Sequence, residues 1–368
     1  MSDLAIILVH YRTPALLVDA TRALLADLES SGLDAEILVV DNGSDPADRE
    51  AWSELPLRRI DPGANLGYAG GVRRGVEATT ASRIVAMNPD VLVFRGCVAR
   101  LLAELERGVA AAGPQFFWDR DRRFHLPPTE SRSAAAELRA ALAHRFPGAA
   151  GAARRAWRRH ARRHWEAPRP FGSTALSGAL LAFRRDAWAR VGPFDEAFRL
   201  YFEETDWLLR LKEVGLESRF VPAAQAVHLF AQSSVHEPQA SRWFAEAERR
   251  FRRRHLGAAV AKVVQALAAA PPRRERREPP PRVCIAAPAL SATEFGARRA
   301  PAWIEIARAA SGFPAAGERL TEAVGEWQLP EEIWHRMPPG ELWIRGISAR
   351  GQESAAVHLC RAARSEPR

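Results

Sequence analysis

The 368-residue sequence predicts an α/β fold. A Rossmann-like, mostly parallel sheet flanked by helices is followed by a small all-β, sandwich-like domain. Three observations predict it. Apolar runs of strand length, Leu4–His10, Glu36–Val40, Leu57–Ile60 and Ile84–Met87, alternate with segments of helical periodicity. A Pro/Arg/Glu stretch, Pro271–Pro281, interrupts the chain as a linker does. Beyond it, short strand-like segments alternate with turns.

Each element has a local reason. Leu4–His10 is nearly all apolar, as a strand buried on both faces must be. Thr13-Pro14 offers an N-cap with proline at the first helical position, Ala15–Ser30 carries helical periodicity, and Gly32 ends it. Glu36–Val40 reads as the second buried strand and Asp41–Asp45 as a polar turn. After the short strand Leu57–Ile60, the glycine-rich loop Gly63–Gly71 leads into a helix to about Thr79. Ile84–Met87 is the fourth strand and runs into Asn88-Pro89-Asp90. Sheets of this kind bind ligands outside the carboxyl ends of their strands, and His10, Asp41, Asn65 and Asp90 fall at or near that edge.

The character changes from Arg120 to Pro170. Arg154–Trp165 is a basic, aromatic-interleaved helix, which is either a solvated face or a contact for anionic lipid or a diphosphate-bearing acceptor. No recognised nucleic-acid module surrounds it. Order returns with the small, apolar Thr174–Phe183, a short helix at Arg185–Val191 and an amphipathic helix at Glu203–Val214 stopped by Gly215. Ser218–Pro222 and Ala226–His228 read as two strands. The domain plan is therefore 1–270, with a helical insertion at about 120–170, a linker at 271–281, and an accessory domain at 282–368. The last carries strands at Val283–Ala286, Ala302–Ala307, Glu341–Ser348 and Ala355–Cys360.

Composition narrows the partners. The formal net charge of +9 favours nucleotides, phospholipid headgroups or diphosphate-linked substrates. Lys212 and Lys262 are the only lysines among 53 basic residues, so part of the basicity reflects coding bias. Cys97, Cys284 and Cys360 are far apart and odd in number, which gives neither a disulfide framework nor a Cys metal site and fits a reducing compartment. The apolar start lacks a basic leader and reads as a strand, and no window approaches the ~18 apolar residues of a membrane span. A cytoplasmic protein is expected. Contact with the inner membrane face rests on the Arg154–Arg163 helix alone.

Three groups carry chemistry. Asp90, a carboxylate where a buried strand gives out, suits a divalent cation or a diphosphate. Glu203, Glu204 and Asp206 form an acidic cluster with His228 downstream, and polar strand ends in series followed by such a cluster look like an enzyme that handles a nucleotide-activated substrate.

Taken in order, V-H-Y-R-T-P, V-V-D-N-G-S-D, N-L-G-Y-A-G-G, M-N-P-D-V, S-G-A-L-L-A-F-R-R, V-G-P-F-D-E-A-F, F-E-E-T-D-W-L-L-R and V-H-L-F-A-Q-S-S resemble glycosyltransferase family 2. Within it, the resemblance is to the rhamnosyltransferase-like branch, from about residue 4 to 235. It implies a GT-A fold and an inverting, Mg²⁺- or Mn²⁺-assisted transfer from a nucleoside-diphosphate sugar. The acceptor would be a glycan or polyprenyl-diphosphate-linked hydroxyl in cell-surface polysaccharide synthesis. By the same resemblance, His10, Tyr11, Arg12 and Asp41 face the nucleotide, and the loop with Asn65 and Gly67 closes over it. Asp90 binds the metal, although many relatives carry Asp-x-Asp where this chain has Asn88-Pro89-Asp90. His228 completes the metal site, with His236 a weaker alternative. Glu204 is the base, supported by Glu203 and Asp206, where the family motif is usually Glu-Asp. Ser177 and Gly178 line the acceptor side, and Trp207 packs either beneath the sugar or in the core. Rhamnose from dTDP-rhamnose is the family-level donor, with UDP- and GDP-sugars open. A nucleotidyltransferase shares such a sheet but begins with a glycine-rich phosphate loop, which is missing after Val9. A non-catalytic scaffold, whose C-terminal sandwich binds carbohydrate or a protein partner, is the remaining alternative.

Overall fold

Every residue of the first strand is buried, because it is the centre of a sheet covered on both faces. The computed structural model describes residues 2–130, 132–229, 239–270, 282–285, 289–291, 302–321, 326–337, 340–354 and 356–361. The expected linker, His236 and the motif beyond Leu229 lie outside the described residues.

In chain order the elements begin β1 (Leu4–His10), α1 (Pro14–Ser31), β2 (Glu36–Asp41), α2 (Pro46–Glu50), β3 (Arg58–Ile60), α3 (Gly67–Glu77), β4 (Arg83–Met87), β5 (Val91–Val93), α4 (Cys97–Glu106) and β6 (Ala111–Phe117). There follow β7 (Phe124–His125), α5 (Ala134–Arg145), α6 (Pro147–Trp165), β8 (Phe171–Gly172), β9 (Leu180–Arg184), α7 (Arg185–Val191), α8 (Glu203–Glu213), β10 (Ser218–His228), α9 (Ala240–His255) and α10 (Ala258–Ala269). Last come β11 (Arg282–Ile285), β12 (Ala289–Ser291), β13 (Trp303–Ala307), β14 (Ala315–Arg319), β15 (Glu326–Gln328), α11 (Glu331–Arg336), β16 (Gly340–Ile347) and β17 (Val357–Arg361).

Contacts group the chain into two units. The first holds residues 1–116, 128–132 and 164–261, and the second 117–127, 133–163 and 262–368. In the first, β1 is parallel to β2 and β4, β2 to β3, and β9 runs antiparallel beside β4. Successive side chains of β1 serve opposite faces, as the two-residue period of a strand requires. Leu4, Ile6 and Leu8 join α1 (Leu17, Leu24) and α4 (Val98, Leu101), while Ala5, Ile7 and Val9 join α3 (Val72, Val76) and α8 (Trp207, Leu208). The glycines of α3 let it press on the sheet: a Cβ on Gly71 would lie 2.6 Å from Val9 Cγ1. The parallel register brings β1 and β2 to an end together, with His10 opposite Asp41.

Three local expectations change. Gly67–Gly71, expected in a loop, already forms the first turn of α3. The two strands read at Ser218–Pro222 and Ala226–His228 are one strand, β10. Thr13 precedes α1 without a side-chain cap bond, and its N–H is donated to His10 Nε2 at 3.0 Å instead. The elements β5, α4 and β6 were not anticipated.

In the second unit, the antiparallel pairs β13–β14, β13–β16 and β16–β17 build a sheet, β11 runs parallel to β17, and β12–β15 is a separate two-stranded ribbon. The expected C-terminal strands are present, and α11 packs Ile333 and Trp334 into their core. Residues 117–127 and 133–163, expected as an insertion in the first domain, group with these strands. The reason is physical. Phe124 joins the core with Ile304 and Ile306, and Arg158 forks onto Glu305 at 2.5 and 2.7 Å. Arg158 and Arg154 also share Glu353, at 3.0 and 2.8 Å. Helix α6 therefore spends Arg154 and Arg158 on internal ion pairs, which removes them from the free cationic face expected of a lipid-binding helix. Among the described residues, no helix is long and apolar enough to cross a membrane.

Candidate active site

A cavity of about 310 Å³ opens at the carboxyl edge of the first unit's sheet, within the size range of small-ligand sites. Tyr11 follows β1, Asn42 follows β2, Asn65 and Gly67 begin α3, and Asn88-Pro89-Asp90 follows β4. Ser177 and Gly178 precede β9, and Glu203 and Glu204 begin α8.

Strand pairing assembles the Asp90 side. Val91 in β5 lies opposite His228 in antiparallel β10, and Leu229 N–H donates to the Asp90 carbonyl at 2.9 Å. This register sets His228 Nε2 3.3 Å from Asp90 Oδ1. A carboxylate and an imidazole at a cavity wall suit a Mg²⁺ or Mn²⁺ ion that brings diphosphate oxygens and water as its other ligands. Among the described residues, no cluster of three or more His, Cys, Asp or Glu forms a self-sufficient metal cage. Asp90 and His228 are thus a partial donor set, short of the ligands an ion needs.

The acidic side is built at a strained helix start. Tyr201 and Phe202 have φ of 69° and 72°, a region that side chains of this size avoid. Packing holds the bend, with Phe202 against Phe251 at 5.3 Å and the Arg132 guanidinium 4.9 Å over its ring. Glu203 is 4% exposed, and its Oε2 has no hydrogen-bond partner. Burial, then the neighbouring Glu204 charge, pushes the Glu203 carboxyl well above the usual carboxylate range. Burial also raises Glu204, but backbone N–H groups of Glu204, Gly178 and Thr205, with the Arg132 charge, support its ionised form. A Cβ on Gly178 would lie 3.2 Å from Glu204 Cβ and Cγ, so glycine is what lets that loop approach the carboxylate. The Tyr68 hydroxyl donates to the Gly178 carbonyl at 2.5 Å; burial, then Glu203 and Glu204, keeps it protonated. The two carboxyls thus sit in unlike surroundings, Glu203 without a partner for Oε2 and Glu204 among backbone donors, the kind of asymmetry that pushes paired acids apart.

Five expected site residues lie elsewhere. His10 is fully buried. Its Nε2 accepts from Thr13 N–H and its Nδ1 meets Ser44 Oγ at 2.8 Å, so it knits two strand-end loops and does not reach the cavity. Asp41 is likewise turned inward, taking Ser44 N–H at 2.9 Å and Arg49 Nε at 2.8 Å. Burial works against this carboxylate, but the His10, Ser44 and Arg49 bonds hold it below the usual range. Arg12 is exposed outside the cavity lining. Asp206 is fully buried on the far side of α8, bound to Arg210 Nε and His255 Nε2 at 2.8 Å each and to Arg254 at 3.2 Å. Trp207 is core: it packs tilted or edge-on against Phe183, Trp188 and Phe194, and its Nε1 donates to the Gly192 carbonyl at 2.9 Å.

Asp206 is thus the pin between α8 and α9. Asp206→Asn should destabilise the fold by about 2–3 kcal/mol, less than a fully buried pair because Arg254 stays solvated. The midpoint of urea unfolding reads this, and transfer by the folded fraction should hold within a few-fold. Sequence reasoning missed Asn42, Tyr68, Arg199, Tyr201 and Trp243, all of which line the cavity. Asn42 Nδ2 ties the loop after β2 to the Gly67 carbonyl at 3.0 Å.

Comparison with known proteins gives three likenesses. The family described as Glycosyl transferase family 2 matches residues 5–165. An N-acetylglucosaminyl-diphospho-decaprenol L-rhamnosyltransferase, from each of two Mycobacterium tuberculosis strains, is 32% identical over 222 residues, covering 55% of this chain and 69% of the relative. Among solved structures, the mannosyltransferase PcManGT from Pyrobaculum calidifontis, in complex with GDP-Man and Mn²⁺, superposes with a TM-score of 0.45 at 14% identity. That superposition covers 73% of this chain and 69% of the other.

Proposed function

The chain belongs to glycosyl transferase family 2, and on that premise we propose that its cavity moves a sugar from a nucleoside-diphosphate donor to an acceptor hydroxyl with inversion. The observation that carries this reading is the meeting, in one cavity, of Asp90 and His228 with the Glu203–Glu204 pair. Glu204 takes the proton of the acceptor hydroxyl as its oxygen attacks the anomeric carbon in line. The bond from that carbon to the nucleoside diphosphate breaks, and the electron pair leaves on the β-phosphate oxygen. Glu203 keeps its proton, so only one negative charge faces the attacking oxygen. Asp90 and His228 would hold a Mg²⁺ or Mn²⁺ ion, which when bound offsets the charge of the departing diphosphate. The Mycobacterium tuberculosis relative, by its name, transfers L-rhamnose to a diphosphate-linked lipid. Rhamnose and a polyprenyl-diphosphate-linked acceptor in surface polysaccharide synthesis are therefore the substrates proposed here.

Calorimetric titration with dTDP, UDP and GDP, each with and without Mn²⁺, tests the reading. One nucleotide should bind in a metal-dependent way, with dTDP expected. Lack of binding by all three in both conditions would overturn it. The anomeric configuration of the product, read by NMR, tests inversion separately.

A further inference from the structure

Donor and acceptor, on the reading above, both bring diphosphate to a cavity that already holds Asp90, Glu203 and Glu204. Against that negative charge, Arg199 is the one arginine or lysine lining the cavity among the described residues. Its surroundings separate it from the ordinary surface arginines nearby. The carboxylates on the same stretch are taken: Asp195 by Arg254 and Glu196 by Arg73, each at 2.9 Å. Arg199 has no carboxylate partner among the described residues. Its guanidinium carbon lies 4.5 Å from the Trp243 ring centroid, and Nη2 donates to the Asn65 carbonyl at 3.2 Å. The Arg199 carbonyl accepts from Tyr68 N–H at 3.2 Å, which fixes the backbone beneath it. The guanidinium is thus oriented by an aromatic face and one backbone acceptor, with its other N–H groups left to a ligand. A planar fork held this way suits bidentate recognition of phosphate oxygens. Beside it, Tyr201 and Phe244 pack edge-on at 5.3 Å and are both partly exposed, an apolar rim next to the cation.

We infer that Arg199, stacked on Trp243, is the residue that recognises a diphosphate in this cavity; the inference rests on the transferase reading proposed above. The diphosphate could be the donor nucleotide's or the acceptor's, and the test separates them.

The full chain and its Arg199→Gln, Arg199→Lys and Trp243→Leu variants are titrated with inorganic pyrophosphate. Affinity should fall roughly tenfold to a hundredfold in Arg199→Gln, and by less in the other two. Nucleoside diphosphate is then compared with nucleoside monophosphate. Weaker binding of the diphosphate alone assigns Arg199 to the donor. In parallel, KM is measured for a farnesyl-diphosphate-linked sugar and for the octyl glycoside of the same sugar. A rise for the diphosphate-linked acceptor alone assigns Arg199 to the acceptor. If pyrophosphate affinity and both comparisons are unchanged in Arg199→Gln, while the wild type still binds nucleotide, the inference is wrong and the transferase reading stands. If the wild type binds no nucleotide at all, both fall together.

Discussion

Glu204→Gln is expected to slow transfer by roughly a thousandfold, the scale of a lost general base, while nucleotide affinity stays within about twofold. The substitution is isosteric. Its amide oxygen can keep the backbone N–H bonds that the carboxylate accepts, including that of Gly178, so the loop against α8 should hold its place. What disappears is the proton acceptor. The pH profile makes the test sharper. Burial is the largest influence on Glu204 and raises its carboxyl, while the backbone donors and Arg132 oppose that rise. A base acts only when ionised, so the transfer rate should be low in acid and climb with pH through a limb displaced above the ordinary glutamate range. The limb should vanish in Glu204→Gln. Glu203→Gln is the informative control, because glutamine imitates the protonated, neutral Glu203 that burial and the Glu204 charge favour. It should retain most of the rate. Wild-type turnover by Glu204→Gln, with loss in Glu203→Gln, would reverse the roles of the two carboxyls. Both oxygens of Asp206 are committed to cations and to His255, which leaves Glu204 the better placed of the two to take a proton.

The parts that were legible in the sequence are those whose cause is local. β1, β2 and β4 are read correctly because a strand buried on both faces must be apolar throughout, and α8 because its apolar residues recur at helical spacing and Gly215 stops it. Strand-end position also identified Asp90 and Asn65, which do line the cavity. The same rule also marked His10 and Asp41, which do not line the cavity. A polar residue at a strand end either faces ligand or fastens the loops around the ligand, and the choice depends on partners elsewhere in the chain, here Ser44 and Arg49. Asp206 lies off the cavity for a related reason: the first turn of a helix points its side chains in several directions, and two residues beyond Glu204 lies the opposite side. Pro222 disguised β10, since proline has no N–H to give to a ladder, yet the strand continues through it to deliver His228. Arg199, Tyr68 and Trp243 carry no motif that announces them. They meet only because α3, the segment before α8, and α9 converge on one opening.

Asp90→Asn should abolish the Mn²⁺-dependent part of nucleotide binding, which corresponds to at least about a hundredfold loss of affinity at saturating metal. The size of the effect follows from the donor set. Among the described residues, Asp90 and His228 are the paired donors at this wall of the cavity, so on the proposed reading an ion there takes its protein carboxylate from Asp90. An amide of the same shape removes that charge and leaves one neutral oxygen. Asp90 is 1% exposed, and β5 and β10 fix its backbone through Leu229 N–H, so the substituted residue cannot swing to recruit a replacement ligand. Comparing metal-free and metal-loaded titrations separates a metal effect from damage to the fold. Without Mn²⁺ the variant and the wild type should bind the nucleotide alike; on adding Mn²⁺ only the wild type should tighten. An equal gain in both would remove Asp90 from the metal site and leave it as the residue that fastens the turn after β4. Equal weakening with and without the ion would instead mean that the turn itself had moved. His228→Gln should reproduce the loss more mildly, because the carboxylate stays while the imidazole donor goes.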